Sequence, residues 1–280
     1  MAADLHLHTC FSDGTYTPEE LAAHAARLRL QTIALTDHDT TEGCLRAAMA
    51  CQNLGVEFIT GAELTAEFDG TELHLLGYYL DPHHPELLRQ TARFQEVRQN
   101  RIREMVERIN RLGIPLTADA VFALANCRSP GRPHVGRALV RAGFCSSVDE
   151  AFDRFLKKDR PAWVPKFKMS VFDGIDLIHA AGGLAVLAHP GLNRVDPAIP
   201  QLAEAGLDGL ECFHTKHTPA TADHYLRLAS TYQLLVTGGS DCHGLAKGQP
   251  LIGSLRLPED HVQRLREARR RPRTNDLATA

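Results

Sequence analysis

Asp4-Leu5-His6-Leu7-His8-Thr9-Cys10-Phe11-Ser12-Asp13-Gly14 is the stretch on which the reading of this chain turns. Side chains alternate along a strand, so a strand here sends Asp4, His6 and His8 to one face and Leu5 and Leu7 to the other. Two imidazoles then point the same way, and Asp13 follows in a Ser-Asp-Gly turn. Neutral imidazole is a common transition-metal ligand, so the stretch reads as one corner of a metal site. The alternative is a strand whose histidines satisfy hydrogen bonds at a domain edge, and the rest of the chain must decide.

Moving outward, Thr17-Pro18-Glu19-Glu20 supplies an N-cap, a first-turn proline and two acids that suit the helix dipole, which predicts a helix to Arg29. Thr32-Ile33-Ala34-Leu35-Thr36 reads as a second strand ending in Asp37-His38-Asp39, before a helix from Glu42 to Leu54. Gly55 to Gly61 is a third strand with Glu63 just past its end, and Glu72 to Tyr79 a fourth, with Glu72, His74 and Leu76 on one face. From 85 to 168 the rhythm changes to a helical period rich in arginine, broken at Gly113-Ile114-Pro115 and at Ser129-Pro130-Gly131-Arg132-Pro133. This predicts an all-helical insertion. The βα rhythm resumes with a helix over Ser170 to Ala181, then apolar runs ending in His189-Pro190, in Glu211-Cys212-Phe213-His214 and in Asp241-Cys242-His243. The end from 269 to 280 reads as a frayed, solvated tail.

Strands alternating with helices imply an α/β chain with a mainly parallel sheet, and polar residues recurring after apolar strand runs fit a βα barrel with its chemistry at the C-terminal rim. Residues 1–84 and 169–268 would form the barrel and 85–168 the insertion. An open doubly wound sheet is the alternative, but Ser12-Asp13-Gly14-Thr15 is not its glycine-rich phosphate turn.

Composition sets the class. With 280 residues, 44% hydrophobic and 23% charged, the chain has the make-up of an ordinary globular protein and no apolar run that would cross a bilayer. Met1-Ala2-Ala3 leads straight into the first strand without an export signal, so a cytoplasmic setting is expected. Seven cysteines without a Cys-x-x-Cys pair argue against a disulfide framework and against a thiolate zinc site. A net charge of -3 gives no global attraction to double-stranded DNA.

Of the fifteen histidines, those at strand ends carry the argument. Together with nearby acids they give nine candidate metal ligands: His6, His8, Asp13, His38, Glu63, His74, His189, Asp241 and His243. Each ion takes about four to six donors and carboxylates can bridge, so nine ligands imply two or three divalent ions. Nitrogen and oxygen donors without thiolate suit manganese, zinc or iron.

The Asp4-x-His6-x-His8 opening with Ser12-Asp13-Gly14, Thr36-Asp37-His38-Asp39, Ala188-His189-Pro190 and Asp241-x-His243 resemble the four motifs of the polymerase and histidinol phosphatase (PHP) family, over nearly the whole chain. The resemblance implies a distorted (β/α)7 barrel and a trinuclear metal centre. It implies one ion on His6, His8, Glu63 and Asp241, a second on Glu63, His74 and His189, and a third on Asp13, His38 and His243. A His often stands in place of Asp13 in the histidinol phosphatase branch. The helical insertion resembles instead the stand-alone nucleotide-processing subgroup, which includes 3',5'-nucleotide bisphosphate phosphatases and a 5'-3' exoribonuclease.

Such a centre would hydrolyse a phosphate ester, its metal-bound hydroxide attacking in line without a side-chain nucleophile. Cys242 separates two ligands and should face away, so neither it nor Cys10 is expected to act. His214 and His217 are candidates to protonate the leaving group. In the insertion, the Pro-Gly-Arg-Pro turn offers Ser129, Arg132, His134 and Arg137 at a helix start, and Lys166 and Lys168 add charge; these are the candidate substrate-binding residues, fit to receive a second phosphate. The partner expected is a small phosphorylated nucleotide or a short RNA end, with no membrane. A 3',5'-nucleotide bisphosphate hydrolysed to a 5'-nucleotide and phosphate is the leading expectation. The alternatives are 5'-3' exoribonuclease action, amidohydrolase-type cleavage of an amide or lactone, and a non-catalytic module stabilised by metal.

Overall fold

The computed structural model describes residues 2–193 and 195–271; the tail expectation over 272–280 lies outside them. The chain opens with β1 (Ala2–Asp4), α1 (Pro18–Arg27), β2 (Thr32–Leu35) and α2 (Cys44–Leu54). Thr17 and Glu20 form a reciprocal capping box at α1, as the Thr-Pro-Glu-Glu run leads one to expect. Next come β3 (Glu57–Phe68) and β4 (Thr71–Tyr78). The helical stretch holds α3 (Pro85–Arg111), α4 (Ala118–Ala125), α5 (Arg132–Arg141) and α6 (Val148–Ala151), the last running into a π-helical turn over Phe152–Leu156. The remainder is β5 (Met169–Ser170), α7 (Val171–Ala180), β6 (Leu184–Leu187), α8 (Pro190–Asn193), α9 (Ile199–Glu204), β7 (Gly209–His214), α10 (Pro219–Thr231), β8 (Leu235–Gly239), β9 (Leu257–Pro258) and α11 (Glu259–Arg269).

Strands neighbour one another in the order β8-β7-β6-β4-β3-β2-β1, with β9 antiparallel on the start of β1. Beyond Asp4 the chain stays extended and turns to β8: the Leu5 N–H donates to the Gly238 carbonyl at 3.2 Å, and the His8 N–H to the Cys242 carbonyl at 3.0 Å. These eight strands thereby make a nearly closed barrel-shaped sheet, as the βα-barrel expectation has it. Inside it, Leu5, Ala34, Ile59, Leu76, Tyr78 and Val186 pack with Val262 and Leu265, so α11 plugs the end where β1 begins. The outward faces of β3, β4 and β6 pack instead on α7, through residues such as Leu64, Leu75, Leu187 and Ile175. The helices after β4 have a cluster of their own, with Ile102, Met105, Val121, Val135, Leu139 and Phe155.

Two expectations need correction. The third strand does not stop at Gly61 with Glu63 beyond it; it runs from Glu57 to Phe68, and Glu63 lies in its middle. The physical reason is a hairpin at Asp69-Gly70, both with positive φ (48° and 74°), the backbone that a two-residue Asp-Gly turn requires. In consequence β4 runs antiparallel to β3 and to β6, while the pairs β1/β2, β2/β3, β6/β7 and β7/β8 are parallel. The first strand is also shorter than the sequence implies, since its regular pairing ends at Asp4. No helix among the described residues is long and apolar enough to cross a membrane.

Candidate metal centre

Glu63 is the hub, and the register of its hairpin explains why. Glu63 pairs with Leu76 and Thr65 with His74, so Glu63 and His74 project from the same face, one diagonal step apart. His74 Nδ1 meets Glu63 Oε1 at 2.7 Å, and His189 Nε2 meets the same oxygen at 3.0 Å. On Oε2, His38 Nδ1 lies at 2.9 Å and the Nε2 atoms of His6 and His8 both at 3.4 Å. One carboxylate thus faces five imidazoles. Asp241 Oδ1 approaches His8 Nε2 at 3.2 Å, and Asp13 Oδ1 approaches His243 Nε2 at 3.3 Å and His38 Nε2 at 4.0 Å. All nine residues anticipated from the sequence are therefore gathered at one mouth of the barrel.

Burial alone would lift the carboxyls of Asp13, Glu63 and Asp241, but the imidazoles around them prevail and hold all three well below the usual range. Burial keeps His8 and His38 neutral, taking His38 down to about 4. A neutral imidazole keeps a lone pair to offer. Nε2 of His6, both nitrogens of His8, Oδ1 of Asp13, Nδ1 of His38, Oε2 of Glu63, Nε2 of His74 and Nδ1 of His189 are buried without a hydrogen-bond partner among the described residues. So many unpaired polar atoms in one place would be costly unless something satisfies them together, and cations do so. Single ligand atoms of His8, Asp13, His38 and His243 lie within 4.8 Å of one another, as do those of His6, His8 and Asp241, and those of His38, Glu63 and His74. The donor set fits divalent ions, and bound ions would supply positive charge to a phosphoryl group and acidify water.

Behind these side chains stand partners that the sequence reading passed over. Glu211, fully buried on β7, accepts from His6 Nδ1 at 2.9 Å and from the His189 N–H at 2.7 Å. Asp37 gathers the N–H and hydroxyl of Thr9 and the hydroxyl of Ser12, which ties the first loop to the second. His189 and Asp241 both hold positive φ (31° and 53°), strain of the kind kept at working sites. Their signal in the sequence was present, since an acid in the middle of the apolar run Gly209 to Phe213 needs a partner.

Next to the cluster of candidate metal ligands lies a cavity of about 420 Å³. Asp13, His38, Glu63, His74, His189, Asp241 and His243 line its floor, and Arg98, Arg101, Arg132, Lys166 and Lys216 its walls. Arg132 and Lys166 were anticipated there; Arg98, Arg101 and Lys216 were not. Arg132 packs its guanidinium over the Phe152 ring at 5.6 Å. Burial, and then Arg98, pushes the Lys166 amine down to about 8.

The other candidates have different work. Ser129 is fully buried and donates to the His38 carbonyl at 2.7 Å. His134 is buried, accepts the Gly131 N–H at 3.0 Å as part of the α5 cap, and is driven by burial to about 4, so it carries no charge for a phosphate. Arg137 donates to the Asp13 carbonyl at 3.0 Å, and Lys168 faces Glu67 at 3.5 Å outside the cavity wall. His217 has both ring nitrogens on main-chain groups, donating to the Cys212 carbonyl and accepting the Gly191 N–H, which leaves neither for a leaving group. His214 accepts the Lys216 N–H on Nδ1, and its Nε2 lies 3.6 Å from Asp241 Oδ2, beyond hydrogen-bond distance; it does not line the cavity. Cys242 is buried in the apolar cluster between α1 and α2, facing away as expected.

What this mouth offers is the equipment of a metal-dependent phosphoesterase. Residues 4–107 match the PHP domain. A 5'-3' exoribonuclease of Escherichia coli is 32% identical over 247 residues, covering 86% of this chain and 84% of that protein. A 3',5'-nucleoside bisphosphate phosphatase of Chromobacterium violaceum is 31% identical over 258 residues, covering 89% of this chain and 90% of that protein. A solved structure described as a metal-dependent phosphoesterase, from Bifidobacterium adolescentis, superposes with a TM-score of 0.89 at 35% identity, covering 95% of this chain and 96% of that one. The chain belongs to the PHP family.

Proposed function

We propose that this phosphoesterase hydrolyses a 3',5'-nucleotide bisphosphate to a 5'-nucleotide and phosphate, with two or three divalent ions, manganese first among them, held by the nine acids and imidazoles. The observation that carries the reading is the cavity whose floor holds seven of those nine groups and whose walls carry five cationic side chains against one acid, Glu72. A floor alone would serve a monoester. Arg101, Arg132 and Lys166 give charge for a second phosphate away from the floor, and a volume of about 420 Å³ falls in the range of small-ligand sites. Lys216, also on the cavity wall, would neutralise the leaving oxygen. The name of the Chromobacterium violaceum relative supports this substrate class. We infer further that residues 85–168 act as the specificity unit on a barrel of 1–84 and 169–268, and that the seven unpaired cysteines suit a reducing, cytoplasmic setting.

Action on the 5' end of short RNA is the second reading, favoured by the name of the Escherichia coli relative. The test is metal analysis followed by phosphate or nucleotide release from 3',5'-bisphosphate nucleotides, 5'-phosphorylated short RNA, histidinol phosphate and a simple amide, side by side. Fastest release from the bisphosphate is the expected result. Faster turnover of the RNA makes the second reading the right one, and turnover of the amide alone overturns both.

A further inference from the structure

The two halves of the cluster of candidate metal ligands are not supported alike. Glu63 and His74 sit in paired strands, and His6 and His8 on the extended chain that closes the barrel against β8. Asp13 sits instead in the loop after β1, and His38 lies just past β2, where a single bridge to Glu63 ends the strand pairing. Three elements of the helical stretch reach across to these segments. From α3, Arg98 forms a buried ion pair with Asp39, its Nε at 2.7 Å and Nη2 at 2.6 Å from Oδ2, and holds that residue at a positive φ of 52° directly after His38. From the turn before α5, Ser129 donates to the carbonyl of His38 itself, at 2.7 Å. From α5, Arg137 donates to the carbonyl of Asp13 itself, at 3.0 Å, and Cys127 lies 3.2 Å from the Ser12 carbonyl.

These contacts share one feature: Ser129 and Arg137 grip the main chain of two candidate ligands, Cys127 the main chain of one neighbour and Arg98 the carboxylate of another, without touching the ligating atoms. Buried donors placed this way fix where a ligand side chain starts, and such supporting contacts commonly matter to metal affinity about 10–100-fold. The helices have their own apolar cluster, so their seating on the barrel is a separate variable from the barrel's closure.

We propose that Arg98, Ser129 and Arg137 are positioning residues for one ion only, the ion held by Asp13, His38 and His243, and that this ion's occupancy follows the seating of the helical insertion. The inference rests on the reading that the nine residues hold three cations. The ions held through His6, His8, Glu63, His74, His189 and Asp241 rest on residues whose main chain these three side chains do not reach, and are independent of it. The insertion then has two tasks, since Arg98 and Arg132 also line the cavity. The same body that receives the substrate's charge completes the ion cluster.

The experiment titrates the metal-free full chain with Mn2+ in a calorimeter and counts bound Mn after desalting. Wild type is expected to take three ions. The Ser129→Ala/Arg137→Met double variant should keep two with affinities within about twofold of wild type and bind the third about 10–100-fold more weakly. Arg137→Lys, which retains a donor, should recover part of that loss. Circular dichroism of each metal-free variant, and Ser129→Ala alone with its near-equal volume, guard against misfolding as the cause. A third affinity unchanged in the double variant, or three affinities weakened together in a folded variant, overturns the proposal while the metal reading stands. Wild type that binds no Mn2+ overturns the metal reading itself, and this inference with it.

Discussion

Consider Glu211→Gln, which keeps the volume of a fully buried side chain and removes only its charge and one acceptor. In the native protein one carboxylate oxygen takes the proton on His6 Nδ1 at 2.9 Å and the other takes the His189 N–H at 2.7 Å. With the His6 proton on Nδ1, its Nε2 is left to face Glu63 and Asp241 with a lone pair. An amide has one oxygen and one NH2, so it cannot accept from both sides. If the oxygen stays on His189, the NH2 faces His6 Nδ1 and drives the ring proton to Nε2, the nitrogen needed for metal; affinity then falls about 10–100-fold. If the oxygen stays on His6, the His189 N–H is buried without an acceptor, which costs about 1–3 kcal/mol of stability. Calorimetric titration with Mn2+ measures the first and urea unfolding of the metal-free protein the second. Wild-type affinity together with a wild-type midpoint would refute the assignment of Glu211 as the group that fixes His6.

Arg132→Ala should raise KM for a bisphosphate about 10–100-fold, as loss of a charge-assisted contact does, with bound metal unchanged; equal loss of both would remove Arg132 from the substrate wall. Lys166 is lowered to about 8, chiefly by burial, so it carries charge below that pH and loses it above; substrate affinity should fall as pH rises through about 8. That limb should vanish in Lys166→Arg, and a wild-type profile flat across the range excludes Lys166 from binding. A Cβ at Gly239 would overlap the backbone nitrogen and Cβ of His6, so Gly239→Ala should lower stability by at least about 1–3 kcal/mol, read as a shift of the urea midpoint at constant slope. An unshifted midpoint means that β8 and the first loop do not close as described.

Most of the candidate ligands were legible in the sequence because they follow or alternate with the apolar residues of a strand, where an unpaired imidazole or acid has no inexpensive place. His6, His8, His189 and Asp241 all announce themselves this way. Glu63 was found at the wrong place in its strand: the Asp69-Gly70 turn signal was present, but the run was cut at Gly61, and with that cut the antiparallel course of β4 was lost. The substrate wall was half legible. Arg132 and Lys166 lie beside turn residues that draw the eye, whereas Arg98 and Arg101 sit within a 27-residue helix whose other arginines face solvent or neighbouring acids, and only tertiary packing separates the two kinds. Ser129 and Arg137 donate to carbonyls and His134 accepts a main-chain N–H, and sequence spacing does not distinguish a polar side chain aimed at a phosphate from one aimed at the backbone.

The long strand β3 sets where this chain can change length. It pairs with β2 over Glu57 to Thr60 and with β4 from Gly61 to Phe68, and Glu63 stands near the start of the second segment. Adding or deleting one residue from 57 to 62 would swing Glu63 to the face now held by Ala62 and Leu64 and detach five imidazoles in a single step. An extra residue at the exposed Asp69-Gly70 tip lies beyond the last pair and leaves every one of them in place. That tip is accordingly where a peptide label or reporter could be spliced in without disturbing the chemistry a few residues away.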